Sequence, residues 1–228
     1  MKDGLLERIQ SVGHWRVNLR PLVPLEQQLS FQQCSDLVYN NKVSIRGWDY
    51  PHIDHRQDSE GGSQRGDNFY EAWCDWWDQH EFWRMYKSGQ FLSYNALPEG
   101  SPKRNNSQLR GTLNILEAIY TITEFVEFAH RLHIAQLYRD GVIIRIDLRK
   151  TAGRYLEVGP TRMPFFDRKE TGAETINLER TLELPQIRDE HQAIAVGFLL
   201  ELFDYFGWNP SREQIATDQA NFYRREFR

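Results

Sequence analysis

Covalent staples are scarce in this chain. Only two of its 228 residues are cysteine, Cys34 and Cys74, and no paired-cysteine motif surrounds either. A disulfide framework is therefore not expected, and the two thiols read as reduced and buried. Long apolar runs are missing too. None reaches the roughly 18 residues that span a bilayer, so no membrane partner is expected. Residues 1–10 hold Lys2, Asp3, Glu7 and Arg8 without an apolar h-region, so no secretory signal is expected and the cytoplasm is the expected location. A basic surplus is also lacking: 28 Lys and Arg face 32 Asp and Glu, a formal net charge of −4. The global electrostatic case for nucleic acid falls away, and such a partner is possible only through a local patch. P-loop, G-x-G-x-x-G, G-x-S-x-G, HExxH and DxDxDG patterns are all absent. No cofactor is expected, and the chain reads more readily as a non-catalytic protein than as an enzyme.

Apolar residues make up 40% of the chain and charged residues 26%, ordinary values for a folded protein and a poor fit to disorder. A chain of this length buries about 70% of its unfolded surface, enough to fold without metal or disulfide. The excess lies in the rings: 13 Phe, 10 Tyr and 7 Trp, ten of them packed between Phe69 and Tyr94.

Period-two alternation of Trp15, Val17 and Leu19 predicts an early strand after a short helix at 3–12. Ser30 with Gln33 predicts a capped helix to about residue 39, and Val43 and Ile45 suggest a short strand. Residues 46–67 read as irregular, their second half a loop by its Gly61, Gly62 and Gly66. The aromatic block reads as a three-stranded antiparallel meander at 69–77, 81–87 and 90–97, with Lys87-Ser88-Gly89-Gln90 as a tight turn. A loop at 98–111 carries Lys103 and Arg104. The longest helix is expected at 112–133, apolar on more than one side and therefore central. A hairpin near 142–158 and a strand carrying Ile176, Leu178 and Leu182 follow. Two closing helices are expected, at about 188–206 and after Asn209-Pro210. Strands grouped in antiparallel sets, with helices between the sets, give an α+β fold. One domain covers 1–228, with a C-terminal helical lobe at 187–228 as a variant.

Several places can carry function. On the aromatic strands, Trp73, Asp75 and Trp77 point one way, and Cys74 and Trp76 the other. Phe82, Arg84 and Tyr86 likewise oppose Trp83 and Met85. Both faces carry large rings, so one packs on the long helix and the other needs a second cover. A helix of the same chain makes the block architecture. Otherwise Trp73, Trp77, Trp83, Arg84 and Tyr86 form a binding face for a protein partner or a second copy of the chain. The turn Arg46-Gly47-Trp48-Asp49-Tyr50 offers a guanidinium for a small anionic ligand such as a nucleotide, between two rings. His52, Asp54 and His55, with His80 from elsewhere, supply donor types that suit a metal. Glu117, Glu124 and Glu127 read as a solvated helix face. Basic residues at 145–154 and 224–228 read as ordinary surface charge. The leading expectation is a binding, adaptor or sensor subunit that uses the aromatic sheet, oligomeric or with a protein partner. The alternatives are a metal-dependent hydrolase, nuclease or phosphoesterase, built on the histidines, and a sensor built on Arg46 and Trp48.

Overall fold

The computed structural model describes residues 2–76, 79–98, 111–159 and 162–226. Trp77 and the basic pair Lys103-Arg104 lie outside them. The order is α1 (Leu5–Ser11), β1 (His14–Pro21), α2 (Phe31–Asn41), β2 (Gly61–Arg65), β3 (Phe69–Trp76), β4 (Gln79–Tyr86), β5 (Phe91–Ala96), β6 (Thr112–Asn114), α3 (Ile115–Ile134), β7 (Val142–Arg149), β8 (Tyr155–Glu157), β9 (Thr175–Leu182), α4 (Leu184–Asp189), α5 (His191–Asp204) and α6 (Arg212–Tyr223). The fold is α+β, as the grouping of strands and helices predicts.

Seven strands form one antiparallel sheet in the order β2-β3-β4-β5-β1-β7-β9. Alternation assigns its two faces. Trp15, Val17 and Leu19 of β1, Trp83 and Met85 of β4, and Ile144 and Ile146 of β7 turn inward and are buried. They join one core with α2, α3 and α5, in which Phe125, Phe128, Phe198 and Leu199 are almost fully covered. Helix α6 packs on α3 and α5, and its Phe222 stacks on Tyr120 of α3 at 4.4 Å.

Local chemistry starts each element where the sequence asks for it. Ser30 and Gln33 close a reciprocal capping box on α2, satisfying two otherwise orphaned N–H groups. The Asn114 side chain accepts from the Glu117 N–H at the start of α3. The β4–β5 turn uses Gly89 at φ +81°, a conformation that glycine adopts without strain.

Some expectations need correction. Residues 61–65 are an edge strand, not a loop. Gly61 and Gly62 are there because side chains cross above them: a Cβ on Gly61 would lie 2.1 Å from Asp54 Oδ2, and one on Gly62 2.7 Å from the Trp73 ring. The stretch 142–158 is not a hairpin within the sheet. Thr151 and Gly153 donate their N–H groups to Glu174 and Thr171, which draws the chain away from β7. The eight-residue β9 takes the place beside β7, while β8 pairs in parallel with β6. Val43 makes a single bridge with Tyr50 rather than a strand. The helix expected at 188–206 is α5 (His191–Asp204), and a short α4 (Leu184–Asp189) that was not expected precedes it, divided from it at Glu190, whose φ of −119° departs from helical geometry. Ser211, not Asn209, caps α6.

Candidate functional site

The second face of the sheet decides the meaning of the aromatic block. It carries Trp73, Phe82, Arg84, Tyr86, Leu92 and Tyr94, and α1 lies across part of it. Leu5 and Ile9 are fully buried against Phe82 and Tyr94, with Trp73, Leu92 and Ala96 at the margin. Phe82 and Tyr94 stack at 5.5 Å. Beside this cluster the face is ionic. Arg84 donates to Glu71 at 2.8 Å and lies 3.9 Å over the Phe69 ring. His80 meets Asp75 at 2.9 Å, and Lys2 and Arg8 of the N-terminal segment also reach Asp75. Further along, Asp147 is fully buried and accepts from Arg16, Arg145 and Arg149 at 2.9, 2.9 and 3.2 Å. Burial alone would raise its carboxyl, but the three guanidiniums outweigh that and hold it below the usual carboxylate range. Trp83 points into the main core, and its indole N–H donates to the His52 carbonyl at 2.8 Å. No described ring of the 69–94 block is among the exposed large apolar side chains.

A different place gathers polar groups in a buried setting. The 46–50 turn, β1, β4, β5 and α3 line a partly open cavity of about 230 Å³ bordered by Trp15, Arg46, Trp48, Glu81, Asn95 and Glu124, among others. Arg46, Trp48 and Tyr50 all line it. Arg46 donates to Glu117 at 2.6 Å, Thr121 at 3.0 Å and Glu124 at 2.7 Å, so its guanidinium is engaged by three acceptors of one helix. Trp48 Nε1 donates to Glu81 at 2.7 Å, and Asn95 Nδ2 to the other oxygen of Glu81 at 2.6 Å. The Tyr50 hydroxyl pairs with Ser93 at 2.9 Å, and its ring packs 4.6 Å from that of Phe125.

The two carboxyl groups are unusual. Glu81 is 6% exposed and Glu124 2%. Burial pushes Glu81 up to about 7 despite its hydrogen bonds from Trp48 and Asn95. Burial likewise pushes Glu124 up to about 7 against the pull of Arg46. A buried carboxylate is disfavoured unless its charge and lone pairs are matched, and here they are matched only in part. Glu124 Oε1 and Asn95 Oδ1 are buried without a hydrogen-bond partner among the described residues. Glu124 is thus a wall of the cavity, not part of a solvated helix face. Its neighbour Glu127 is also enclosed. Burial opposes its charge, yet hydrogen bonds from His191 and Arg131 bring it down to about 2.

Compared with known protein families, curated proteins and solved structures, the chain matches none.

The histidine set divides. His52 and Asp54 come together, joined by Cys74 from β3: one donor atom from each lies within 4.8 Å of the others. His55 is exposed. His80 sits on the opposite face of the sheet, bonded to Asp75. The His52 ring stacks on Trp48 at 3.8 Å, so this cluster shares a wall with the cavity. Pattern reasoning singles out neither Asn95 nor Cys74, and it favours a solvated helix face for Glu124. The one available signal is that a helix apolar on several sides leaves little room for a solvated glutamate.

Proposed function

We propose that the chain is a binding or sensor module that takes a small ligand in the cavity between the 46–50 turn, β4, β5 and α3. The observation that carries this reading is the pair of buried glutamates facing one cavity, with Glu124 Oε1 and Asn95 Oδ1 both unpartnered. Pockets that fix ligands place a few polar groups among apolar walls, and here Trp15, Trp48 and Phe125 supply the walls. Because Arg46 is already held by Glu117, Thr121 and Glu124, the groups left to meet a ligand are acceptors. That favours a small molecule bearing an amine, amidine or hydroxyl donor over an anionic one. The cavity of about 230 Å³ limits the ligand to roughly ten heavy atoms, since a cavity of about 150 Å³ holds a benzene ring, and lies below the drug-sized range of roughly 300–1,000 Å³.

A thermal-shift screen that pairs small amines and guanidines with nucleotides and carboxylates tests the reading. Stabilisation by the cationic set, lost in Glu124→Gln, is the expected result. Stabilisation by nucleotides alone, or cationic hits that persist in the variant, overturns it. The rival reading, a protein partner or second copy on the aromatic sheet, has less support, since α1 of the same chain covers the Phe82–Tyr94 cluster. A monodisperse monomer by light scattering would count against that rival.

A further inference from the structure

Beside the cavity, three donor types that suit a borderline-soft cation converge: an imidazole nitrogen of His52, a carboxylate oxygen of Asp54 and the sulfur of Cys74, all within 4.8 Å of one another. We propose that His52, Asp54 and Cys74 form a binding site for a divalent transition-metal ion, zinc by preference.

Each donor is held in place by something else in the fold. Cys74 sits mid-strand, paired across to Gly61 on one side and Glu81 on the other. The His52 backbone is pinned by the Trp83 indole N–H and its ring by the Trp48 stack. His52 Nδ1 is buried with no hydrogen-bond partner among the described residues, leaving a lone pair or a proton unmet. Asp54 reaches over the edge strand only because residue 61 lacks a side chain, since a Cβ there would overlap its carboxylate.

The chemistry fits zinc more closely than magnesium or calcium, because a thiolate and an imidazole are poor partners for hard cations. Metal–ligand bonds of about 2.0–2.3 Å in a tetrahedron set the donors roughly 3.3–3.8 Å apart, so a closure of about 1 Å suffices. Three protein donors leave the fourth position open, the arrangement of an exchangeable rather than a closed structural site. On binding, the Cys74 thiol gives its proton to the solvent, and thiolate plus carboxylate balance the dication. Arg56 currently neutralises Asp54, donating to both its oxygens at 2.6–3.2 Å. It also reaches Glu60 at 3.0 Å, so a metal exchanges with a cation that has a second partner waiting.

That exchange makes the proposal testable in a way that a mere cluster would not be. Chelator-treated protein is titrated with Co²⁺, whose thiolate charge-transfer and tetrahedral d–d absorptions report a sulfur-bound ion, and then with Zn²⁺ in competition. The expected result is one equivalent bound. The bands disappear in Cys74→Ser and His52→Gln and persist in Cys34→Ser and His80→Ala. Removing the competing guanidinium in Arg56→Ala should tighten binding about two- to fivefold, the worth of a half-exposed ion pair. Circular dichroism of each variant verifies the fold. If Cys74→Ser does not fold, His52→Gln and Arg56→Ala decide. Wild-type protein without the bands, bands that survive Cys74→Ser or His52→Gln, or unchanged affinity in Arg56→Ala would overturn the proposal. Neither result depends on whether the neighbouring cavity binds an amine.

Discussion

Replacing Glu124 with glutamine is expected to stabilise the protein in alkaline solution and to leave it unchanged in acid. The reason is the mismatch between a free glutamate at 4.5 and the buried one at about 7. Below about pH 4 both folded and unfolded chains carry the proton, and no difference arises. Between those two values the unfolded chain releases its proton first, so the folded state binds more protons and wild-type stability falls as pH rises. Above about pH 8 the penalty is complete, and at roughly 1.4 kcal/mol per pH unit it amounts to about 3 kcal/mol. Glutamine imitates the protonated form and carries no such penalty, while Arg46 keeps Glu117 at 2.6 Å and Thr121 at 3.0 Å. For a chain of this size about 1 kcal/mol moves Tm by roughly 2–4 °C. Thermal melts should therefore separate variant from wild type by roughly 6–12 °C at about pH 8.5 and bring them together near pH 4. A variant that is less stable than wild type at both pH values would show that the ionised carboxylate holds the fold together, and the case for a cavity kept at the expense of stability would collapse. Gains of this sort on removing a functional charge are the recurrent mark of a site selected for something other than stability.

Other perturbations separate the remaining parts. Asp147→Ala strands three guanidiniums around a fully buried position and should cost about 3 kcal/mol in urea denaturation at neutral pH. Because the Asp147 carboxyl is held below its usual value of 3.8, its contribution is present above that pH and fades as acid protonates it in the folded state, so variant and wild type should converge as the pH falls below that value. Gly61→Ala sets a methyl against the Asp54 carboxylate, an overpacking expected to cost about 1–3 kcal/mol. It should also abolish cobalt binding, which absorption spectroscopy checks. Leu5→Ala combined with Ile9→Ala uncovers Phe82 and Tyr94. A cost of about 2–5 kcal/mol per site and a rise in binding of a hydrophobic dye are expected, whereas an unchanged melt would mean that α1 is not the cover.

Strands with strict alternation and helices with clear caps were legible from the sequence because a single local rule decides each. Trp15-Val17-Leu19 and the Ser30–Gln33 box are of this kind. The edge strand at 61–65 was not, since its glycines answer to Asp54 and Trp73, which lie elsewhere in the chain. The pairing of β8 with β6 was hidden for a related reason: three residues carry too little pattern to name a partner. At the site, the 46–50 turn was legible from its composition. Glu124 was not, because a glutamate in a helix reads as solvated until the elements packed around that helix are known. Cys74 became a candidate ligand only when the sheet register set it opposite Gly61, beneath Asp54.

The strand order has a consequence for how the chain is made. β1 lies between β5 and β7, with His14 opposite Ala96 on one side and Arg149 on the other. It is the seam between the meander and the β7–β9 ladder, and it is synthesised long before either flank exists. The buried edges of β5 and β7 stay open until β1 slots between them, so sheet closure waits on contacts far apart in sequence, which slows folding. Either half of the sheet without β1 would present an unpaired β5 or β7 edge, the kind of edge most prone to pair with a neighbour instead.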